Sequence, residues 1–218
     1  MTHHKVSVQA VLFDLDGTLL DSVELYRHSL IAALRDCGLE PPSGARVYQS
    51  MGLPGVEGLQ AIGVPPDQAR GVWLRWVEWE SRLADLVRPY LGIAPLLGKL
   101  RAAGYHLGIV TSRTQSTLDA IPAALDLLPL VDVLVTRDDI VEGKPHPAPI
   151  LHALERLGMS PSQCVYVGDA TYDIEAGRRA GCLTVLSTWD GADRARPIEP
   201  GPDFTVASLD ELAALLLD

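Results

Sequence analysis

The stretch VQAVLFDLDGT (residues 8–18) leads from a short apolar run directly into two aspartates and a glycine. Apolar runs of the same kind recur later, at residues 107–110, 131–135, 164–167 and 183–186. Short runs with Val, Ile or Leu on both faces are typical of parallel strands that helices cover on both sides. Because helical patterns lie between them, we predict an α/β protein with a doubly wound parallel sheet.

One long segment, residues 20–88, interrupts this alternation because it shows no convincing strand. Its helical patterns begin at Val23 and end near Leu86, with Pro- and Gly-rich turns between them. We therefore expect two domains. The sheet-containing core comprises residues 1–19 and 89–218, and a helical insertion comprises residues 20–88.

The composition excludes several classes of protein. With 47% hydrophobic and 21% charged residues among 218, the chain has enough apolar surface to bury a core and is not disordered. A formal net charge of −10 disfavours nucleic acid as a partner. No apolar run suits a membrane span or a secretory signal. Three cysteines without metal spacing favour reduced thiols and a cytoplasmic location.

Asp14 and Asp16 give the strongest chemical signal in the sequence. They follow the first predicted strand, at the edge where open α/β sheets bind ligands. Two carboxylates this close repel each other, and a neighbouring cation would allow at least one to stay ionised. Gly17 permits a tight turn directly after them. The alternative is an ordinary Asp/Gly turn at the end of a strand.

Three further segments follow predicted strands and should reach the same sheet edge. Thr111 and Ser112 offer hydroxyls that suit an oxyanion, although they could equally cap a helix. Lys144, in a proline-stiffened loop, could neutralise phosphate or lie in solvent. Asp169 and Asp173 add carboxylate oxygens, which suit Mg²⁺, although Asp173 alone could be an ordinary first-turn charge of a helix.

These four segments, in this order and spacing, resemble the motifs of the haloacid dehalogenase-like (HAD) superfamily of phosphohydrolases. The position of the helical insertion is similar to the C1 cap of the subfamily that includes phosphoglycolate phosphatases, β-phosphoglucomutases and phosphonatases. The resemblance implies a Rossmann-like core, a mobile cap and one Mg²⁺ ion.

The resemblance also implies a role for the residues of the first two motifs. Asp14 would be the nucleophile and form an aspartyl-phosphate. Asp16 would protonate the leaving group and then accept a proton from the hydrolytic water. Thr111 and Ser112 would bind the transferring phosphoryl group.

The residues of the remaining motifs would contact the charged phosphoryl group and the metal ion. Lys144 would contact the phosphoryl group and hold Asp14 in place. Asp169 would bind Mg²⁺ together with the Asp14 carboxylate and the Asp16 backbone carbonyl. Asp173 would be an acidic partner of this site, either behind the ligands or in direct contact.

Two features of the sequence narrow the range of reactions expected within this superfamily. Asp16 disfavours a dehalogenase, and the absence of lysine from the insertion disfavours a phosphonatase with a Schiff-base lysine. We expect a Mg²⁺-dependent phosphatase acting on a small phosphorylated metabolite, such as a phosphoglycolate-like compound or a sugar phosphate. A β-phosphoglucomutase-like phosphotransferase, a pyrophosphatase or nucleotidase, and a non-catalytic binding protein are the alternatives. We expect a monomer or weak homodimer.

The sequence says less about which residues contact the part of the substrate beyond its phosphoryl group. Residues 49–55 resemble a substrate-facing glycine loop, with Gly52 as the candidate contact, although an ordinary turn fits as well. Arg113 is a second candidate, at a position where many relatives carry a small polar residue. The tryptophans spaced every third residue over 73–79 predict the core of the insertion rather than a ligand platform.

Overall fold

A six-stranded parallel sheet forms the centre of the computed structural model, which describes residues 8–43, 46, 47, 53, 55–190 and 201–217. In spatial order its strands are β5 (Val133–Val135), β4 (His106–Val110), β1 (Ala10–Phe13), β6 (Cys164–Gly168), β7 (Leu183–Ser187) and β8 (Phe204–Val206). The order of the strands reverses at β1. Ligands of doubly wound sheets bind at such a reversal, beyond the carboxyl ends of the strands.

Both faces of the sheet are covered, as the apolar runs predict. In β1, Val11 and Phe13 point into one apolar layer, while Ala10 and Leu12 point into the other. The helices of the core are α4 (Ile93–Ala102), α5 (Gln115–Asp119), α6 (Pro122–Leu125), α7 (Ala148–Leu157), α8 (Thr171–Ala180) and α9 (Leu209–Leu217). Side chains of α7 and α8 pack on the layer that contains Leu12. Within the described ranges, no helix has the length and apolar character that crossing a bilayer requires.

The helical insertion has an apolar core of its own. Its helices are α1 (Val23–Asp36), α2 (Gly55–Ala61) and α3 (Pro66–Arg82). Trp76 is buried between them, in edge-to-face contact with Tyr26 at 4.9 Å between ring centroids. Its indole Nε1 donates a hydrogen bond of 2.9 Å to Ser29 Oγ, so the polar atom of this ring is satisfied. Trp76 therefore belongs to the insertion's core, as predicted, and Trp73 and Trp79 pack partly buried against it. Trp73 and Trp76 also line a cavity, so the prediction that the stripe serves only as core was incomplete.

A short ribbon lies where the chain leaves and re-enters the core. Strands β2 (Leu20–Asp21) and β3 (Arg88–Pro89) pair antiparallel, with Asp21 opposite Arg88. The sequence shows no convincing strand between about residues 20 and 88, and this was wrong for β2 and for the start of β3. Two residues are too few to show an alternating pattern, so only the pairing itself reveals the strand.

β8 is a further strand that the sequence does not predict. It has only three residues, and Phe204 is exposed, so it lacks the apolar run of an inner strand. The carboxylate of Asp203 attaches it to β7, because Oδ2 accepts hydrogen bonds of 2.8 Å from both the backbone N–H and the Oγ1 hydroxyl of Thr184.

Replacing Leu12 with alanine should lower the free energy of unfolding by about 2–5 kcal/mol, because a fully buried side chain of a central strand leaves a cavity. Urea denaturation measures this change. Leu91→Ala is the control, since Leu91 is 100% exposed and its loss should cost about 0.5 kcal/mol or less. Equal stability of the two variants would contradict the packing described for β1.

Candidate active site

The carboxyl end of β1 brings the first motif against the last. The backbone N–H of Asp14 donates to Val167 O at 2.8 Å and so continues the pairing of β1 with β6. Gly17 then turns the chain with φ = +79°, a conformation that favours glycine. A Cβ atom at this position would lie 2.6 Å from Oδ2 of Asp169. The glycine thus allows the two acidic motifs to approach each other closely.

Lys144 lies at the centre of this group of carboxylates and is only 4% exposed. Its Nζ donates to Asp14 Oδ1 at 2.6 Å and to Asp173 Oδ1 at 2.7 Å. The hydroxyl of Tyr166 lies 3.3 Å from the same nitrogen. Burial alone would lower the pKa of Lys144, but the charges of Asp14 and Asp173 outweigh it and hold this pKa well above its usual value. The side chain is therefore a fixed positive charge and not a solvated surface lysine.

Asp14, Asp169 and Asp173 form a buried acidic cluster in which one carboxylate oxygen of each lies within 4.8 Å of the others. Burial raises the pKa of Asp14 well above its usual value; Lys144 opposes this rise, and the charges of Asp173 and Asp169 add to it. Lys144 supplies one positive charge against three carboxylates. The donor set and its excess negative charge fit a hard divalent cation such as Mg²⁺.

The carboxylates of Asp169 and Asp173 are held in place by neighbouring groups. Thr18 Oγ1 donates to Asp169 Oδ1 at 3.2 Å. Asp173 uses both of its oxygens, since Oδ1 accepts from Lys144 and Oδ2 accepts from the backbone N–H of Ala170 at 3.0 Å.

Thr111 and Ser112 reach the same place from the end of β4. Both line a cavity of about 320 Å³ that Asp14, Asp16 and Asp169 also line. The Oγ1 atom of Thr111 accepts a hydrogen bond of 3.1 Å from the backbone N–H of Arg113. The ends of β1, β4 and β6 therefore meet around one cavity, and Lys144 is connected to it through its contact with Asp14.

Arg113 connects this cavity to the helical insertion. Its Nε and Nη2 donate to the two carboxylate oxygens of Asp16, at 2.7 and 2.9 Å. Its Nη1 donates to Oε2 of Glu80, on α3, at 3.2 Å. Burial alone would raise the pKa of Asp16, but the charge and hydrogen bonds of Arg113 lower it below its usual value. In this arrangement Asp16 is a carboxylate.

Sequence reasoning missed Glu80 and Tyr166. Glu80 shares the cavity wall with Trp73, Trp76 and Val77, which lie seven, four and three residues before it on α3. An acidic residue on the helix face that carries these three apolar side chains is the sequence signal by which Glu80 could have been predicted. Tyr166 lies in the buried strand β6, and nothing in the sequence indicates that its hydroxyl reaches Lys144.

The remaining candidate contact, Gly52, lies outside the described residues. Leu53 and Gly55, which follow Gly52 within the same stretch of residues 49–55, line the cavity.

A model of a family described as haloacid dehalogenase-like hydrolase matches residues 11–187, which include all four motifs. The chain belongs to this family. It is thus a hydrolase of the phosphatase type, consistent with the names of its relatives.

Several relatives align with most of the chain. A phosphoglycolate phosphatase of Aquifex aeolicus is 33% identical over 96% of this chain and 97% of its own length. The pyrophosphatase PpaX of Bacillus velezensis is 33% identical over 94% of each. Among solved structures, a hydrolase from Pseudomonas syringae is 28% identical, with a TM-score of 0.85 over 95% of this chain and 97% of its own.

Lys144→Met should lower the free energy of unfolding by about 3–5 kcal/mol in metal-free buffer, because Asp14 and Asp173 would remain buried without their counter-charge. Denaturation in urea with EDTA measures the loss. Lys99→Met, at an exposed position, is the matched control and should change stability by about 0.5 kcal/mol or less. A Lys144 variant as stable as the control would show that these ion pairs contribute little.

Proposed function

We propose that this protein is a Mg²⁺-dependent phosphatase that hydrolyses a small phosphorylated metabolite through an aspartyl-phosphate on Asp14. The observation that carries the proposal is the placement of Asp14, which is buried against Lys144, close to Asp169, and on the wall of a cavity. Relatives named phosphoglycolate phosphatase support phosphoglycolate as the substrate, and a sugar phosphate is the other compound to be tested.

The metal would be held by Asp14, Asp169 and the backbone carbonyl of Asp16, with Asp173 as the acidic partner behind them. When bound, Mg²⁺ would neutralise charge on the phosphoryl oxygens and reduce the repulsion between the substrate and the nucleophile.

The chain's own residues carry out the transfer in two steps. One carboxylate oxygen of Asp14 attacks phosphorus while the bond to the leaving oxygen breaks, and Asp16 gives that oxygen a proton. Asp16, again a carboxylate, then takes a proton from water. That water attacks the aspartyl-phosphate, which releases inorganic phosphate and restores Asp14. Because Arg113 stabilises ionised Asp16, its hydrogen bonds to Asp16 must weaken, and Asp16 must take up a proton from solvent, before the first proton transfer. The proton that Asp16 later takes from water restores its acid form for the next cycle.

Lys144, Ser112 and Thr111 would bind the transferring group. The ammonium of Lys144 orients Asp14 and offsets the charge of the equatorial oxygens. The hydroxyls at the end of β4 would donate hydrogen bonds from the other side of the cavity.

The helical insertion of residues 20–88 would act as a cap on the core of residues 1–19 and 89–218. Its connections through β2 and β3 would serve as the hinge, and closure would exclude water from the cavity. The three free cysteines support a cytoplasmic location.

Pyrophosphate hydrolysis is the second candidate activity, because the PpaX relative aligns with nearly the whole chain. A mutase would differ from both candidates in its product, an isomerised sugar phosphate instead of free phosphate.

Asp14→Asn should reduce Mg²⁺-dependent phosphate release by roughly 10³-fold or more, because an amide cannot form the acyl phosphate. A phosphate-release assay on phosphoglycolate, a sugar phosphate and pyrophosphate tests this. The exposed Asp126→Asn variant is the control and should match wild type. Full activity of the Asp14 variant would refute the nucleophile, and no release from any compound would refute the phosphatase proposal.

Mg²⁺ should raise the melting temperature of the protein, because it binds the folded acidic cluster and not the unfolded chain. At a concentration 100 times the dissociation constant, the stabilisation is about 2.7 kcal/mol. Asp169→Asn should abolish most of this shift, and Asp126→Asn should keep it. Thermal unfolding with and without Mg²⁺ measures the effect without any substrate. An unchanged shift in the Asp169 variant would remove that residue from the metal site.

A further inference from the structure

Arg113 forms a buried ionic bridge between the core and the helical insertion. Its side chain is 10% exposed, and the side chain of its partner Glu80 is 12% exposed. Three nitrogens of the guanidinium are occupied, two by Asp16 and one by Glu80. The group is therefore a preformed fork for anionic oxygens, directly beside the nucleophile's cavity.

The two partners of Arg113 are not held equally. Asp16 receives two hydrogen bonds, at 2.7 and 2.9 Å, whereas Glu80 receives one, at 3.2 Å. Glu80 comes from α3 and lines the same cavity, along with the core arginine Arg137 and the α3 arginine Arg70. A carboxylate or phosphate entering the cavity would thus compete with Glu80 for Nη1 of Arg113, whose hydrogen bond is the longest of the three.

We propose that Arg113 is a specificity-determining residue that binds the second anionic group of a two-ended phosphate substrate, and that Glu80 occupies the place of that group until the substrate enters. The substrate class is then a phosphate compound with a carboxylate or a second phosphate close to the transferring group. A substrate with a neutral tail offers Arg113 no replacement partner, so the bridge to Glu80 persists and opposes its binding. This inference rests on the proposed phosphatase function.

Two substrates that differ in one group test the proposal. Phosphoglycolate carries a carboxylate where ethyl phosphate carries a methyl group. The measured quantity is the ratio of kcat/KM for phosphoglycolate to kcat/KM for ethyl phosphate, in the presence of Mg²⁺. Arg113→Gln should lower this ratio roughly 10- to 100-fold, because a charge-assisted contact to the tail is lost. Arg113→Lys keeps the charge without the fork and should give an intermediate ratio, which also covers a Gln variant that fails to fold.

Glu80→Gln should change the ratio in the opposite direction and raise it roughly fivefold, because the competing charge is removed. Glu78→Gln is the matched control: Glu78 is on the same helix and pairs with Arg75 on the surface, so its ratio should equal that of wild type. A purely structural role for the bridge would move the Arg113 and Glu80 variants in the same direction, and that result would overturn the proposal.

Two results distinguish a wrong role for Arg113 from a wrong assignment of phosphatase activity. If phosphate is released from both compounds with a ratio that no variant changes, Arg113 does not select the substrate although the enzyme is a phosphatase. If neither phosphoglycolate, ethyl phosphate nor the wider panel is hydrolysed with Mg²⁺, the phosphatase proposal fails and the inference fails with it.

Discussion

The buried ion pairs of Lys144 hold this site together. Asp14 and Asp173 come from opposite ends of the chain, and each would repel the other in a poorly hydrated space. The ammonium lets both remain close, but three carboxylates against one cation still leave excess negative charge. An arrangement of this kind is costly to maintain unless a further cation or a reaction requires it. The same excess of negative charge that disfavours burial would be offset by a divalent cation, which this cluster could hold.

A second ion cluster controls the other aspartate of the first motif. Asp14 and Asp16 are two residues apart, yet their environments shift their pKa values in opposite directions. Burial and neighbouring carboxylates raise the pKa of Asp14, while Arg113 lowers that of Asp16. These directions are opposite to the proposed roles, in which Asp14 attacks as a carboxylate and Asp16 donates a proton. A cation beside Asp14 would lower its pKa, and release of Asp16 by Arg113 would raise that of Asp16. Arg113 also contacts the helical insertion, which connects the position of the insertion with the chemistry of the core.

Most of the fold and the principal site residues could be predicted because their signals are local. Inner strands are apolar on both faces, and Asp14, Lys144 and Asp169 each follow a strand in a recognisable order. The edge strand β8 could not be predicted, because it is short and half exposed. The bridge from Arg113 to Glu80 spans 33 residues and depends on how α3 packs against the core, which no local pattern encodes.

The β2–β3 ribbon has a consequence for how such enzymes diversify. The chain departs from and returns to the sheet at paired residues, Asp21 and Arg88, whose Cα atoms lie about 5 Å apart in any antiparallel pair. Whatever lies between these two points can be lengthened, shortened or exchanged without altering the register of the six core strands. Evolution can then vary which molecules are admitted while the machinery that handles the phosphoryl group stays unchanged.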